Sequence, residues 1–322
     1  MKRLFFFLAT LFFVFSAQSA GATTVFSPVI ELTVDAGTSQ PGVVKVYNET
    51  DQDLSLTASV EKFVASGEAG AAAYPAAGQE EAYLGWFNLT QNKLTLKPKQ
   101  VAIVPFTVTV PKEALPGGYY AAIFWQSGPA QNPTETAVSV NSKVGTLVLL
   151  RVNGSVTETG EILDFQTQET KKYFFDFPLN FVTRFENTGN IHLKPTGEIK
   201  ITGFFGRTAT IAVNPDQRNV LPQSIRRFEV IWSPAGGHNG FRGFWSTLIS
   251  ELKNPVFGKC TATLNLTYGQ ENQQTATKQF DFWLIPYHLI IFELAAILII
   301  IILFCINRKI RKIQNREPQK PQ

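Results

Sequence analysis

Short runs of alternating apolar and polar residues follow one another along most of the chain between residues 25 and 282. Examples are GVVKVYN, VAIVPFTVTV, VGTLVLLRV and KCTATLNLTY, which are rich in Val, Ile, Thr or aromatic residues and are separated by Gly, Pro or Asn. A period of two places successive side chains on opposite faces, as in antiparallel strands with one buried face. Many such strands with little helical periodicity predict an all-β fold built from β-sandwiches.

One strand-turn-strand pattern occurs twice. VKVYNETDQDLSLT (44–57) and VTRFENTGNIHLKP (182–195) each contain an alternating strand that ends in an aromatic residue, a turn with Asn, and a second alternating strand. Asn and Gly tolerate positive φ, and the Asn side chain can bond its own backbone two residues on. We therefore expect each turn to close a hairpin.

Two further pairs of segments repeat in the same order. LKPKQVAIVPFTV (96–108) matches LPQSIRRFEV (221–230), and GGYYAAIFWQ (117–126) matches GKCTATLNLTYG (258–269). The repetition predicts two tandem immunoglobulin-like β-sandwich domains, the first over residues 23–154 and the second over residues 155–283.

Both ends of the chain carry apolar segments. Residues 1–22 place Lys2 and Arg3 before an apolar run and small residues, which is typical of a cleavable secretory signal. Residues 284–306 are long and apolar enough for a transmembrane helix, with Trp283 and Tyr287 at the level where aromatic rings meet headgroups.

The residues that follow this span are basic. They include Arg308, Lys309, Arg311 and Lys312. The positive-inside rule therefore assigns the tail, residues 307–322, to the cytoplasm. We expect a single-pass protein of the cell membrane whose N-terminal body is extracytoplasmic.

The net charge of the outer body is close to zero. The formal charge of the chain is +4, and removing the leader (+2), Glu293 (−1) and the tail (+5) leaves −2. A surface without a basic patch is not typical of a nucleic-acid-binding protein. We therefore expect no nucleic-acid partner.

The sequence contains few residues suited to catalysis or metal binding. It has no Gly-x-Ser-x-Gly elbow, phosphate-binding glycine loop or HExxH helix. His192 follows the second turn, and we expect it to be a partly exposed strand residue. Glu80 and Glu81 lie in an Ala/Gly-rich segment, residues 66–83, and are expected to be solvated. No enzyme, cofactor or metal site is predicted.

The two cysteines are not expected to pair. Cys260 opens an apolar strand of the outer body, whereas Cys305 lies within the predicted span. The outer body must therefore be stable without an internal disulfide.

One segment has helical periodicity. In HNGFRGFWSTLISELKNPVFG (238–258), an apolar face of a helix over residues 241–253 is formed by Phe241, Phe244, Trp245, Leu248 and Leu252. Two interpretations are open. The helix lies at the lipid surface with Phe244 and Trp245 directed inward, or it covers the core of the second sandwich with the same face.

Glu293 interrupts the predicted transmembrane helix. A carboxylate in the hydrocarbon is unfavourable, which makes an intramembrane acid a candidate functional residue. Either Glu293 reaches the interface or is protonated, or it contacts another membrane helix. A further candidate for partner binding is the loop at 127–139, which we expect at the outer tip if the domains stack lengthwise.

The layout of signal, two sandwiches, one span and basic tail resembles the bacterial WxL-interacting proteins, which are membrane-anchored surface proteins of Gram-positive bacteria. The similarity is best in GVVKVYNETDQDLSLTASVEKF and LTLKPKQVAIVPFTVTVPKEALPGGYYAAIFW, and covers most of residues 25–155. The first domain also looks like the chaperone-type immunoglobulin-like sandwiches of pilus assembly. The helix at 238–258 and the segment at 66–83 depart from the family pattern.

The resemblance implies a first domain that binds peptidoglycan, a second that engages a surface or host protein, and WxL-domain proteins as partners. It implies no particular ligand residue, because the matched positions are turns and core strands. The sequence thus predicts a non-catalytic, membrane-anchored cell-surface binding or scaffold protein. The alternatives are an accessory single-span subunit of a membrane transport, secretion or signalling complex, and a sandwich-fold carbohydrate-active enzyme.

Overall fold

The computed structural model describes residues 23–75, 81–127, 143–233, 241–253, 256–271 and 273–314. The predicted signal, Glu80, most of the loop at 127–139 and the last eight residues of the tail lie outside this part of the chain. The chain forms two compact units. Unit 1 comprises Met1–Val64 and Tyr74–Ser155, and unit 2 comprises Ala65–Ala73 and Val156–Gln322.

Unit 1 is a two-layer sandwich. The strands before residue 155 are β1 (Thr23–Val25), β2 (Val29–Val34), β3 (Ser39–Asn48), β4 (Leu54–Lys62), β5 (Val64–Ser66), β6 (Ala71–Ala73), β7 (Phe87–Leu89), β8 (Lys93–Leu96), β9 (Val101–Thr109), β10 (Gly117–Ser127) and β11 (Lys143–Val152). One sheet has the order β1-β3-β9-β7 and the other β2-β11-β10-β4-β8. Inward-facing residues of both sheets, among them Phe106, Trp125 and Leu150, form the core.

Unit 2 repeats this plan. Its strands are β12 (Gly160–Thr167), β13 (Tyr173–Phe174), β14 (Leu179–Asn187), β15 (Thr196–Thr202), β16 (Thr208–Val213), β17 (Ser224–Trp232), β18 (Gly258–Tyr268) and β19 (Gln274–Leu284). The sheets have the orders β12-β14-β17 and β13-β19-β18-β15-β16. Phe181, Phe185 and Phe282 are buried between them.

The edge strands show that the two units share one topology. In unit 1, β1 pairs antiparallel with β3, and β2 then pairs parallel with β11 in the opposite sheet. In unit 2, β12 pairs antiparallel with β14, and β13 pairs parallel with β19. A first strand divided between two sheets that are otherwise antiparallel, with this strand order, is immunoglobulin-like. The predicted fold class, two tandem immunoglobulin-like sandwiches, is confirmed.

The repeated turns are corners between sheets, and the prediction of hairpins was wrong. β3 pairs with β9, whereas β4 pairs with β10 and β8 in the opposite sheet. The turn after Asn187 likewise leads from β14 to β15 across the sandwich. The alternating pattern identifies the strands, but it does not specify which strands pair, because a period of two is compatible with any neighbouring strand.

The start of the Ala/Gly-rich segment forms a hairpin of β5 and β6. Its residues Ala65–Ala73 belong to unit 2. Glu68 accepts a hydrogen bond from Arg184 Nε at 2.8 Å, and the backbone N–H of Arg227 donates to the Glu68 carbonyl at 2.8 Å. The Arg184 guanidinium holds the pKa of the Glu68 carboxyl below its usual value. Glu81 is exposed, as expected, and forms a surface ion pair with Lys62 Nζ at 2.6 Å.

His192 is buried, and the expectation of a partly exposed strand residue was wrong. It lies between the core residues Ile191 and Leu193 in an irregular segment, where Leu193 forms a single bridge with Val220. The segment around Val220 pairs with this corner, so His192 is buried although it lies close to a turn.

Two helices complete unit 2. Helix α1 (Phe241–Lys253) occupies the predicted range, and helix α2 (Tyr287–Gln314) follows β19. The part of α2 from Tyr287 to Lys312 is long and apolar enough to cross a membrane, judged by length and composition. At about 1.5 Å per residue such a helix exceeds the hydrocarbon thickness of about 30 Å.

Cys260 lies in the core of unit 2, and burial raises the pKa of its thiol to about 11, partly offset by a hydrogen bond with the Leu284 backbone. A raised pKa disfavours the thiolate, so this contribution to stability is present below the unfolded pKa of about 8.5 and is lost as the pH rises towards 11.

We therefore expect Cys260 to react with a thiol reagent at pH 8 only after unfolding. The measurement is maleimide incorporation into the Cys305→Ser chain, with and without urea. Equal rates in the two conditions would show that the thiol is accessible and would contradict the packing of β18.

Candidate membrane and partner contact sites

Helix α1 packs along the first turns of α2. The ring of Phe244 lies 5.3 Å from the His288 imidazole, and the ring of Trp245 lies 6.2 Å from that of Phe292. Leu248, one turn further along α1 than Phe244, is buried. The amphipathic helix is thus positioned at the start of the apolar helix.

Glu251 connects the two helices through hydrogen bonds. Its carboxylate is buried, with Oε1 2.8 Å from His288 Nδ1. Oε2 accepts the backbone N–H of Leu289 at 2.9 Å. The first N–H groups of a helix have no partner within the helix, and a negative charge is favourable at this end. Glu251 therefore caps α2 from a distant part of the sequence.

The five apolar residues predicted for α1 do not share one environment. Phe244 is half-buried and Leu248 is buried, whereas Trp245 and Leu252 are exposed. Phe241 lies in the first turn of α1. With 100° between successive residues, the buried and exposed sets are about a quarter turn apart on a wide apolar arc. The exposed residues suit the interpretation that α1 lies at the lipid surface, and the buried residues suit the interpretation that it packs against the protein.

Several exposed aromatic residues lie at the same end of unit 2 as the start of α2. Tyr173 stacks on Trp283 with 6.5 Å between ring centroids, and the N–H of Phe204 bonds the carbonyl of Phe257 beside β18. We call the following set the aromatic end: Tyr173, Phe175, Phe204, Trp245 and Trp283. Their exposed fractions lie between 43% and 57%.

Tyr173, Phe175 and Phe204 were not predicted as site residues. They occur in KKYFFDF and GFFG, short aromatic clusters flanked by Lys or by Gly. In the sequence, the only indication of an exposed aromatic site is that consecutive aromatic residues interrupt the apolar–polar alternation, so that they cannot all face the core.

Glu293 and the basic residues lie along α2. Glu293 is exposed and makes no hydrogen bond or ion pair with another residue that the structure describes. At the other end of the helix the exposed cations are Arg308, Lys309, Arg311 and Lys312. Whether Glu293 contacts a second membrane helix stays a prediction.

A cleft of about 380 Å³ lies within the segment between β12 and β14, and its lining includes Glu169, Lys171 and Asp176. Lys171 Nζ is 2.7 Å from the Glu169 carboxylate. Among the described residues, no group of three His, Cys, Asp or Glu side chains is placed to hold a metal ion. The cleft contains neither a nucleophile next to a base nor a set of metal ligands.

Unit 1 has an apolar outer surface on the β1-β3-β9-β7 sheet. Its exposed members are Phe26, Val43, Val101 and Ile103, which we call the apolar sheet face. The register places Val43 beside Pro105, the exposed Lys45 beside Ile103, and Tyr47 beside Val101. The face is therefore apolar around one lysine. The ring of Phe26 lies 6.0 Å from that of Tyr47.

The signal for the apolar sheet face is in β9 itself. In VAIVPFTV both alternate sets are apolar, with Val104 and Phe106 facing the core and Val101 and Ile103 facing outward. A strand that is apolar on both faces is usually covered on both. Large exposed apolar patches on soluble surfaces often mark interaction sites.

No protein-family model and no curated protein matches the sequence. Among solved structures, the class 5 fimbriae chaperone CfaA aligns at 12% identity with a TM-score of 0.39, over 82% of this chain and 100% of the other. The E. coli chaperone DraB aligns at 11% identity with a TM-score of 0.35, over 81% and 97%. A PapD-like domain of human CEP192 aligns at 13% identity with a TM-score of 0.29, over 41% and 86%. At these values the likeness carries no functional inference, and the strand order alone establishes the immunoglobulin-like fold.

Proposed function

We propose that the chain is a non-catalytic binding or scaffold protein that α2 anchors in the cell membrane, with both sandwiches on the extracytoplasmic side. The observation that carries the binding role is the apolar sheet face of unit 1, an aliphatic and aromatic surface on a regular sheet. The basic residues after the span support the orientation, because cytoplasmic flanks are enriched in Lys and Arg.

The apolar sheet face is better suited to a protein than to a polysaccharide. Its exposed side chains are mainly branched aliphatic residues and proline, which bury well against another apolar surface. Sugars need hydrogen-bond partners, and the outward residues of β9 from Val101 to Pro105 provide none in their side chains. On β3, Lys45 and Tyr47 are the polar side chains beside these residues. We propose a surface protein as its ligand, and the resemblance to WxL-interacting proteins supports a WxL-domain protein and wall peptidoglycan as partners.

Charge substitution on the apolar sheet face tests the proposal. We expect Val43→Glu/Ile103→Glu in the full-length protein in lipid nanodiscs to weaken binding to a WxL-domain protein about tenfold or more, since a buried apolar contact residue is worth about 1–2 kcal/mol. The measurement is the Kd by biolayer interferometry, alongside sedimentation with purified cell wall.

The matched control is Ser55→Glu on β4, an exposed position of the other sheet of unit 1. Its affinity and melting temperature should remain those of the wild type. Equal affinities of the face variant and the wild type would refute the assigned surface. Failure to bind either the cell wall or a WxL-domain protein, or turnover of a polysaccharide, would refute the proposed function itself.

The second candidate is an accessory subunit that pairs with a multi-span membrane protein. The observation in its favour is Glu293, an exposed acid within the apolar helix. A polar contact between membrane helices would satisfy this carboxyl group. Copurification of a multi-span protein that is lost in Glu293→Leu would favour this function over the first.

A further inference from the structure

We infer that the aromatic end of unit 2 rests in the headgroup and upper acyl region of the bilayer that α2 enters, with α1 lying in the membrane surface. The inference rests on membrane insertion of α2, which is part of the proposed function, and names a lipid contact that insertion alone does not require. The ligand is the lipid surface itself.

The first argument is depth. The ring of Trp245 is next to that of Phe292, which lies five residues after the first residue of α2, Tyr287. At about 1.5 Å per residue, this is about 7.5 Å along α2. Amphipathic helices in the membrane plane bury their apolar face by about 5–10 Å. If α2 spans the bilayer from its first turns, α1 is therefore already at this depth.

The second argument is the exposed face of α1. Trp245, Ile249 and Leu252 are exposed and follow a spacing of four and three residues, which places them on one side of the helix. The buried side, with Leu248 and Glu251, is held by unit 2 and by α2. The apolar stripe is thus directed away from the protein core while it remains next to a membrane helix.

The third argument is the composition of the aromatic end. Three separate segments supply its exposed rings besides Trp245. They carry Tyr173 and Phe175, Phe204, and Trp283, so the alternation of one strand does not account for their being exposed together. Trp and Tyr are enriched where membranes meet water because one part of the ring system is apolar and another part can form hydrogen bonds. Phe175 also lines a crevice with Ile285 and Pro286, which immediately precede α2. The surface is continuous with the membrane span.

The junction between the helices fixes this arrangement. Glu251 bonds both His288 and Leu289, so α1 cannot rotate about its axis without breaking a buried cap. The orientation of the Trp245 stripe relative to α2 is therefore set within the protein before it meets lipid. A lipid contact formed in this way would limit the tilting of unit 2 on its membrane helix.

The test uses spin labels on the full-length protein in vesicles of phosphatidylcholine and phosphatidylglycerol. Single labels are placed by Leu252→Cys, Phe204→Cys and Asp216→Cys in a Cys305→Ser background, and on native Cys305 in the wild type. Cys260 is buried and remains unlabelled. Asp216 is the matched control, since its side chain is exposed and its loop follows the far end of the β15–β16 pair, away from Gly258.

At positions 252 and 204 we expect dissolved oxygen, which partitions into lipid, to relax the label more than a water-soluble nickel complex does. At position 216 we expect the reverse order. The label on Cys305 reports insertion of α2 independently. A lipid-exposed Cys305 with water-exposed labels at 252 and 204 would overturn the inference and leave the proposed anchoring intact. A water-exposed Cys305 would overturn both.

Discussion

Asn187→Asp is expected to lower the free energy of unfolding of unit 2 by about 3 kcal/mol or more. The side chain is fully buried at the corner between the sheets. Its Nδ2 donates to the carbonyls of Ile191 at 2.7 Å and Val220 at 2.8 Å, and its Oδ1 accepts the Gly189 N–H at 2.9 Å. Aspartate would direct an oxygen at two carbonyls, and each lost buried bond costs about 1–3 kcal/mol.

The neighbouring Asn190 provides the control. Its Oδ1 accepts the backbone N–H of Thr157 at 2.8 Å, and the residue is exposed. Asn190→Asp keeps an acceptor in the same place, so its effect should stay within about 0.5 kcal/mol. Urea unfolding of the detergent-solubilised full chain, followed by tryptophan fluorescence, measures both. Similar midpoints for the two variants would show that the buried amide does not hold the corner.

A buried asparagine also bonds the corner between the sheets in unit 1. Asn48 Nδ2 donates to the carbonyls of Gln52 at 2.8 Å and Lys97 at 3.0 Å, and Oδ1 accepts the N–H of Thr50 at 2.9 Å. In each unit the side-chain amide of one asparagine joins the corner to a distant segment. In unit 1 this segment precedes β9, and in unit 2 it precedes β17. The asparagine that is repeated in the sequence therefore has the same structural role in both units. The sequence does not reveal its hydrogen bonds to the distant carbonyls of Lys97 and Val220.

Strand positions in the fold could be predicted because each alternating run specifies its own buried face. The partners of those strands could not, since β3 and β4 are adjacent in sequence and lie in opposite sheets. The placement of the β5–β6 hairpin was also not accessible. Its Ala and Gly residues have no periodicity, and the residue that binds Glu68, Arg184, is 116 positions away.

The candidate site shows the same limit. The periodicity of α1 was sufficient to predict the helix, but Leu248 and Trp245 could not be assigned to different faces, because the apolar arc is wider than one contact surface. The aromatic end combines residues from distant loops, which only the closure of the sandwich brings together. Glu251 lies among polar residues of the helix, and nothing near it in sequence indicates that it caps α2.

Glu251→Ala is expected to release α1 from α2. It removes the acceptor of the Leu289 N–H and the partner of His288 at a buried position. Loss of a helix cap costs about 1–2 kcal/mol, so the local opening of α1 should become about 5- to 30-fold more frequent. Hydrogen exchange of the α1 amides in detergent, where no bilayer supports the helix, measures this change, because exchange follows local opening.

Glu251→Gln distinguishes a capping role from a general need for charge. Glutamine keeps an oxygen that can accept the Leu289 N–H, so it should retain most of the protection of α1 if the cap is what matters. Unchanged exchange in Glu251→Ala would show that the ring contacts of Phe244 and Trp245 suffice to hold α1. If the alanine variant exchanges faster in detergent but not in nanodiscs, lipid holds the helix in place of the cap, which is the outcome expected of a helix seated in the membrane surface.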